Sequence, residues 1–156
     1  MKGIILAGGT GSRLFPLTKV TNKHLLPVGL EPMIYHPIKK LTDVGIAEIL
    51  IVTGTEHMGA VVSLLGSGKD FGCRFTYKVQ DEAGGIAQAL GLAENFVHND
   101  TCLAMLGDNI FRCSFSNIVE EYNNSNEKAH IILKEVEDPQ RFGVANVKDN
   151  KIILKD

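Results

Sequence analysis

Glycines and an arginine near the start of the chain have the residue types and spacing to bind phosphate. Gly8, Gly9 and Gly11 follow the apolar run 3–7, and Arg13 comes shortly after them. Glycines lack a Cβ, so several backbone N–H groups can approach an anion closely, and a guanidinium group suits phosphate oxygens. The spacing predicts a phosphate-binding loop, although the glycines alone fit a plain turn after a strand equally well.

Two well-known glycine motifs do not fit this loop. A P-loop needs Gly-Lys followed by Ser or Thr, whereas Gly11 is followed by Ser12 and Arg13. The dinucleotide-binding motif needs a third glycine, where this chain has Leu14 with Pro16 close behind. A Rossmann oxidoreductase is therefore the weaker hypothesis, and no acidic residue ends the second predicted strand to support it.

A lysine and an aspartate further along add charges suited to a polyphosphate. Lys23 stands just before the apolar pair Leu25 and Leu26, which would fix its stem while its ammonium group projects. Asp108 follows the apolar run 101–106. Mg²⁺ usually takes one or two protein oxygens and the rest from phosphates and water, so Asp108 is a candidate ligand. An ordinary surface lysine and an Asx turn are the alternatives, and the neighbouring glycine loop favours the metal site.

A second glycine turn has the donors and acceptors to bind a nucleobase. The Gln80 amide carries both a donor and an acceptor and matches the O4/N3 edge of a pyrimidine. Gly85 would let a base or ribose approach the backbone. A polar loop before a helix is the alternative. Asp81 and Glu82 could act as an acid–base pair, but adjacent acidic residues in a loop are usually only solvated.

Composition excludes several classes of protein. The chain has 156 residues, a formal net charge of −2 at pH 7 and three cysteines without metal-ligand spacing. We therefore expect one domain with reduced thiols and neither a nucleic-acid nor a membrane partner. No apolar run approaches the ~20 residues of a membrane span, and the start lacks a signal-peptide pattern. The expected location is the cytoplasm, and association between copies of the chain is left open.

Apolar runs of strand length alternate with helical patterns. The predicted strands are 3–7, 48–53, 74–79, 101–106 and 130–136, and the predicted helices are 33–44, 57–65, 86–96 and 116–123. This alternation predicts an α/β fold, a Rossmann-like and mostly parallel sheet with helices on both faces. The loops 8–13, 80–85 and 107–109 would then meet at the carboxyl edge. Residues 142–147 and 151–154 predict a terminal hairpin.

Taken together, these motifs resemble the sugar-1-phosphate nucleotidyltransferases, most closely those that act on dTTP and glucose 1-phosphate. The segments that carry the resemblance are LAGGTGSRL (6–14), TKVTNKHLLPV (18–28), PMIY (32–35), QDEAGGIAQA (80–89), LGDN (106–109) and RFGV (141–144). They span the chain in the family's order. The resemblance implies a fold of the nucleotide-diphospho-sugar transferase type.

The resemblance also implies an activity and its residues. The chain would transfer a deoxythymidylyl group from dTTP (or a uridylyl group from UTP) to glucose 1-phosphate with Mg²⁺, releasing pyrophosphate. Matched by motif, the nucleotide-binding residues are Gly8, Gly9, Thr10, Gly11, Ser12, Arg13, Lys23, Gln80, Gly85 and Asp108. Arg13 and Lys23 would be catalytic, and Asp108 would bind the metal. Asn109 and Gly143 would lie on the sugar side.

One part of the family's pattern is not in this chain. A Glu-Lys-Pro segment that binds the sugar phosphate and a later aspartate as second metal ligand are expected beyond the last predicted strand. Residues 1–156 thus resemble the N-terminal, nucleotide-binding part of a nucleotidyltransferase domain, truncated before its sugar half. Two hypotheses follow: an enzyme supplying dTDP-glucose for polysaccharide and dTDP-rhamnose biosynthesis, or a dTTP- or UTP-binding fragment without turnover.

Overall fold

The computed structural model describes residues 1–9, 11–82, 84–149 and 151–153. Its strands are β1 (Lys2–Ala7), β2 (Pro27–Val28), β3 (Glu31–Pro32), β4 (Glu48–Gly54), β5 (Arg74–Gln80), β6 (Cys102–Leu106), β7 (Asn146–Lys148) and β8 (Lys151–Ile153). Its α-helices are α1 (Tyr35–Asp43), α2 (Met58–Leu65), α3 (Gly85–Gly91), α4 (Glu94–Val97) and α5 (Ser116–Asn124). Strands β5, β4, β1 and β6 form one sheet in that order, and all their pairings are parallel.

Both faces of this sheet carry an apolar core, as the continuous apolar strands predict. Along β1, Ile5 and Ala7 join the cluster on one face, which contains residues of α1 and α2. Ile4 and Leu6 join the cluster on the other face, with Ala89 of α3. Successive side chains of a strand point to opposite faces, so one apolar run serves both layers. The predicted parallel sheet with helices on both faces is confirmed.

The chain between β1 and α1 forms short turns rather than long elements. Single turns of 3₁₀-helix cover Ser12–Leu14, Leu17–Lys19 and Lys23–Leu25. The short strands β2 and β3 then pair antiparallel. The Asn22 amide, just before the third turn, donates to the Ala7 carbonyl oxygen and ties this segment to the end of β1, where the predicted phosphate loop begins.

The predicted strand at 130–136 is wrong. The structure gives these residues no helix or strand, and Ile131 and Leu133 are 65% and 51% exposed. An apolar run becomes a strand only where another strand offers backbone partners. Within the described residues, β6 pairs with β1 on one side only, and nothing pairs with the 130–136 segment.

Two other boundaries differ from the prediction. The helix expected at 86–96 is divided into α3 and α4, which are separated by a turn around Leu92. The first helix begins at Tyr35 rather than at 33, which leaves Pro37 in its first turn, where a missing N–H costs little. The terminal hairpin forms between β7 and β8 but is shorter than predicted. Leu154 lies outside the described residues.

Candidate functional site

The loops that follow β1 and β5 meet at the carboxyl edge of the sheet. A Cβ placed on Gly8 would lie 2.8 Å from Oε1 of Gln80, so only a glycine leaves room for this amide. Gly11 has a φ of +61°, and its Cβ position would lie 3.2 Å from Cβ of Lys23. Thr18 closes the turn by donating its hydroxyl hydrogen to the Gly11 carbonyl oxygen at 2.9 Å. The glycine loop is thus flanked by Gln80 on one side and by Lys23 on the other.

An ion pair joins the turn after the glycine loop to the end of β6. The Lys23 ammonium donates a hydrogen bond to Oδ2 of Asp108. Both side chains are partly exposed, at 26% for Lys23 and 33% for Asp108. Because both groups are partly solvated, the ion pair stabilises the fold less than its close contact suggests. A ligand can still reach both groups. An accessible cation and an accessible carboxylate therefore lie beside the glycine loop.

Asp108 is ionised in this arrangement. Desolvation by burial favours the neutral acid, but the hydrogen bond and charge of Lys23, with a smaller contribution from His24, outweigh it. The pKa of the Asp108 carboxyl therefore lies below its usual value. An ionised carboxylate at a strand end offers oxygen ligands to a divalent cation.

His24 is buried directly behind the ion pair. Oδ1 of Asn22 accepts the backbone N–H of His24 at 2.8 Å and lies 2.6 Å from its Nδ1. Because that oxygen only accepts, Nδ1 of His24 carries the ring hydrogen. Desolvation by burial and the nearby positive charge of Lys23 lower the pKa of His24 to about 4, against a smaller opposing effect of Asp108. The ring is therefore neutral at pH 7.

Asn22 and Gly107 bring the neighbouring strand ends to this histidine. Asn22 donates its amide to the Ala7 carbonyl oxygen at 3.4 Å, which ties the turn to the end of β1. A Cβ on Gly107 would lie 2.7 Å from Cδ2 of His24, so a glycine is needed where the ring packs. Sequence reasoning assigned no role to Asn22 or His24. The available signal was the Asn-x-His spacing, because Asn side chains often bond to the backbone two residues on.

Gln80 is held by a second glutamine that sequence reasoning also missed. Its Nε2 donates to Oε1 of Gln88 at 2.7 Å, and the Gly84 N–H donates to the same oxygen at 2.9 Å. Gly85 has a φ of +85°, which favours glycine at the start of α3. A cavity of about 160 Å³ lies beside Gln80, and Gly9 and Asn22 are among the residues that line it.

The remaining predicted site residues make fewer contacts with the rest of the candidate site. Ser12 and Arg13 are exposed in their short turn, and Thr10 lies outside the described residues. The Asn109 N–H donates to the Leu106 carbonyl oxygen at 3.1 Å, so this residue sits at the end of β6. Gly143 is exposed, with nothing within 4 Å of the position a Cβ would take. Its place on the sugar side stays a prediction.

Within the described parts of the chain, no group of three or more His, Cys, Asp or Glu side chains could hold a metal ion. A Mg²⁺ site would thus rest on Asp108 together with oxygens of a bound ligand, which is how Mg²⁺ is commonly held beside phosphates.

In the same described residues, no helix is long and apolar enough to cross a membrane.

Comparison with known proteins identifies the family. The nucleotidyl transferase family matches residues 2–155 of the chain. The chain belongs to the nucleotidyl transferase family. Relatives in this family include a glucose-1-phosphate thymidylyltransferase of Neisseria meningitidis, 43% identical over 96% of this chain and 52% of the relative. The low-salt glycan biosynthesis nucleotidyltransferase Agl11 of Haloferax volcanii is 42% identical over 96% of this chain and 42% of the relative.

Solved structures of the nucleotidyl transferase type agree in fold. A crystal structure of a Bacillus anthracis protein provisionally named glucose-1-phosphate thymidylyltransferase, in complex with a sucrose, superposes with a TM-score of 0.94 at 64% identity. The match covers 98% of this chain and 62% of that chain. A UDP-glucose pyrophosphorylase complexed with UDP-glucose shares the fold at 22% identity and a TM-score of 0.66, over 79% of this chain and 53% of that chain. The chain spans about half the length of the curated relatives it matches.

Proposed function

We propose that this chain supplies the nucleotide-binding part of a glucose-1-phosphate thymidylyltransferase, which converts dTTP and glucose 1-phosphate into dTDP-glucose and pyrophosphate. The observation that carries the proposal is that one glycine loop has the Lys23–Asp108 pair next to Gly11 and the Gln80 amide over Gly8. The names of relatives 43% and 64% identical to this chain support the choice of substrates. UTP is the alternative nucleotide, since it differs at the base by one methyl group.

The chemistry requires no protein nucleophile. A phosphate oxygen of glucose 1-phosphate attacks the α-phosphorus of dTTP. The new P–O bond forms as the bond between the α-phosphorus and the bridging oxygen breaks, and pyrophosphate leaves with that oxygen and its electron pair. The attacking oxygen is already an anion, so no proton has to be removed. The site needs to align two anions and to neutralise their charge.

The residues of the chain fit these tasks. The glycine loop would present backbone N–H groups to the triphosphate, and the exposed guanidinium of Arg13 would hold the leaving pyrophosphate. Lys23 would turn its ammonium from Asp108 to the phosphate oxygens, where negative charge develops. Gln80 would bind the base. Its reach over Gly8 places the amide at the same loop that would hold the phosphates.

Asp108 would hold Mg²⁺ together with phosphate oxygens. The ion would neutralise phosphate charge and orient the leaving group. The ionised state of the carboxyl suits this role. Without nucleotide, Lys23 takes the place of the cation, which keeps the carboxylate paired.

Pyrophosphate release by the purified chain tests the proposal. The assay combines the chain with dTTP, glucose 1-phosphate and Mg²⁺, and with EDTA in a parallel reaction. We expect turnover that EDTA abolishes. We expect Lys23→Ala to raise the activation free energy by about 2–4 kcal/mol, the usual loss when one preorganised donor is removed. Lys69→Ala is the matched control, because Lys69 is exposed just before β5, at the opposite edge of the sheet.

A second candidate function is nucleotide binding without turnover. It is favoured by the half-length match to the relatives and by the open surroundings of Gly143. In that case dTTP binds with Mg²⁺ and Lys23→Ala weakens binding, but no pyrophosphate is released. Absence of both turnover and dTTP binding would contradict both candidates.

A further inference from the structure

We propose that Gln88 is a positioning residue that fixes the orientation of the Gln80 amide and thereby selects thymine or uracil over cytosine. The inference rests on the proposed function, since it assigns to Gln80 the binding of a pyrimidine base. It adds a residue of α3 that reads no base itself and acts through its neighbour.

The hydrogen bonds determine which way each amide points. The Gly84 N–H can only donate, so the Gln88 atom 2.9 Å away is the oxygen Oε1. That same oxygen lies 2.7 Å from the Gln80 amide and can only accept. The Gln80 atom facing it must therefore be the nitrogen Nε2. The backbone thus sets the orientation of Gln88, and Gln88 sets the orientation of Gln80.

Two glycines leave room for this pair of amides. A Cβ on Gly84 would lie 2.3 Å from Oε1 of Gln88, so any other residue would displace that side chain. On the other side, Oε1 of Gln80 occupies the space above Gly8. The second hydrogen of Nε2 faces the Gly85 carbonyl oxygen at 3.4 Å, a long contact that a base oxygen can replace. Gln80 therefore offers a fixed acceptor and one exchangeable donor.

This fixed pattern distinguishes between pyrimidines. Thymine and uracil present an N3–H donor beside the O4 acceptor, whereas cytosine presents an N3 acceptor beside an amino donor. For a base held in one position, the two patterns require opposite orientations of the glutamine amide. A glutamine free to turn over accepts either base. Gln80 cannot turn over without losing the hydrogen bond to Gln88.

The test measures dissociation constants of dTTP and dCTP by calorimetry, with Mg²⁺ and the full chain. The variants are Gln88→Met, which keeps the length but removes the acceptor, and Gln88→Glu, which restores an acceptor for both Gly84 and Gln80. For the unmodified chain we expect dTTP to bind at least about tenfold more tightly than dCTP, within the range of one bidentate base contact. Both ligands are triphosphates, so a change of charge at position 88 affects them alike.

We expect Gln88→Met to reduce this preference by about tenfold and Gln88→Glu to keep it. A preference that is unchanged in Gln88→Met, with both nucleotides still bound, would overturn the inference and leave Gln88 as a helix cap only. Thermal unfolding of each variant separates that role, because a cap changes stability and not the ratio of the two affinities. Failure of the unmodified chain to bind dTTP would instead overturn the proposed function itself.

Discussion

Among single residues, His24 links the candidate site to the stability of the fold. Its ring is neutral because burial and Lys23 lower its pKa from 6.5 to about 4. Between these values the unfolded chain binds a proton that the folded chain does not. Folding is therefore opposed increasingly as the pH falls through this range.

We predict that the free energy of unfolding decreases from pH 6.5 to about pH 4, by at most about 1.4 kcal/mol per pH unit from this residue. Above pH 6.5 the contribution of His24 is constant. Urea denaturation at a series of pH values measures the slope. His24→Gln should flatten it, whereas His130→Gln, a change at an exposed histidine, should not. Equal slopes in the chain and in His24→Gln would contradict the prediction.

Gly107 provides a second prediction about a single residue. Its Cβ position lies 2.7 Å from the His24 ring and 3.2 Å from the Leu6 carbonyl oxygen, so Gly107→Ala must move the ring or the strand end. Overpacking of this kind costs about 1–3 kcal/mol. We expect a loss of that size in the free energy of unfolding. Because His24 lies beside the Lys23–Asp108 pair, weaker dTTP binding should accompany it.

At the scale of single residues, the sequence predicts a role only where the side chain has that role without a particular partner. The glycine loop, Lys23, Asp108 and Gln80 could be chosen from residue type and position alone. The glycines, Gln80 and Asp108 stand at the ends of strands, and Lys23 is a cation shortly after the glycine loop. The roles of His24 and Gln88 could not be chosen in this way, because they depend on partners: Asn22 for the histidine, and the Gly84 N–H for the glutamine. Such partners become visible only when the loops are folded.

Among the elements, β1 depends on a glycine to pack against α1. A Cβ on Gly3 would lie 2.9 Å from Cδ1 of Leu41 and 3.1 Å from side-chain atoms of both Ile46 and Ile49. These neighbours are buried and leave little room to relax. The close approach of strand and helix therefore rests on the missing side chain.

We predict that Gly3→Ala lowers the free energy of unfolding by about 1–3 kcal/mol, because the added methyl group overpacks the core. Gly59→Ala is the matched control. Gly59 is an exposed residue in α2 with nothing within 4 Å of its Cβ position, so alanine should stabilise the chain by up to about 1 kcal/mol. Chemical denaturation of both variants gives the comparison. Similar losses in both would show that the packing of Gly3 is not the cause.

The elements that the sequence predicts well are those whose partners are also in the chain. Strands β1, β4 and β6 are mainly apolar runs, and β5 alternates apolar and polar residues. Each of the four finds a neighbour in the parallel sheet. The segment 130–136 contains a similar apolar stretch at 131–133 but forms no strand. The amino-acid composition of a segment indicates its tendency to form a strand. Whether a free strand edge is available to pair with it depends on the whole fold.

At the scale of the whole molecule, the described residues leave an apolar surface uncovered. Ile131, Ile132 and Leu133 are 65%, 46% and 51% exposed, and β6 has a partner on one side only. Exposed apolar side chains in a row and an open strand edge both favour association between copies.

We predict that the purified chain self-associates, so that its sedimentation coefficient rises with concentration above that of a 17.0 kDa monomer. Replacing Ile131 and Leu133 together by lysine should restore the monomer at equal thermal stability. The matched control replaces Val20 and Leu30, two exposed apolar residues elsewhere on the surface, by lysine. A chain that is monomeric at all concentrations would refute the prediction.

The position of β1 also affects how the chain is made. This strand precedes the other strands of the sheet in the chain yet lies between β4 and β6, with Ile5 opposite both Ile51 and Met105. Contacts of such sequence separation close late and slow folding relative to helical proteins of similar length. Until β6 has emerged from the ribosome, the edge of β1 that pairs with β6 has no partner. The nascent chain then also lacks Asp108, so the glycine loop gains its carboxylate neighbour only after β6 has been made.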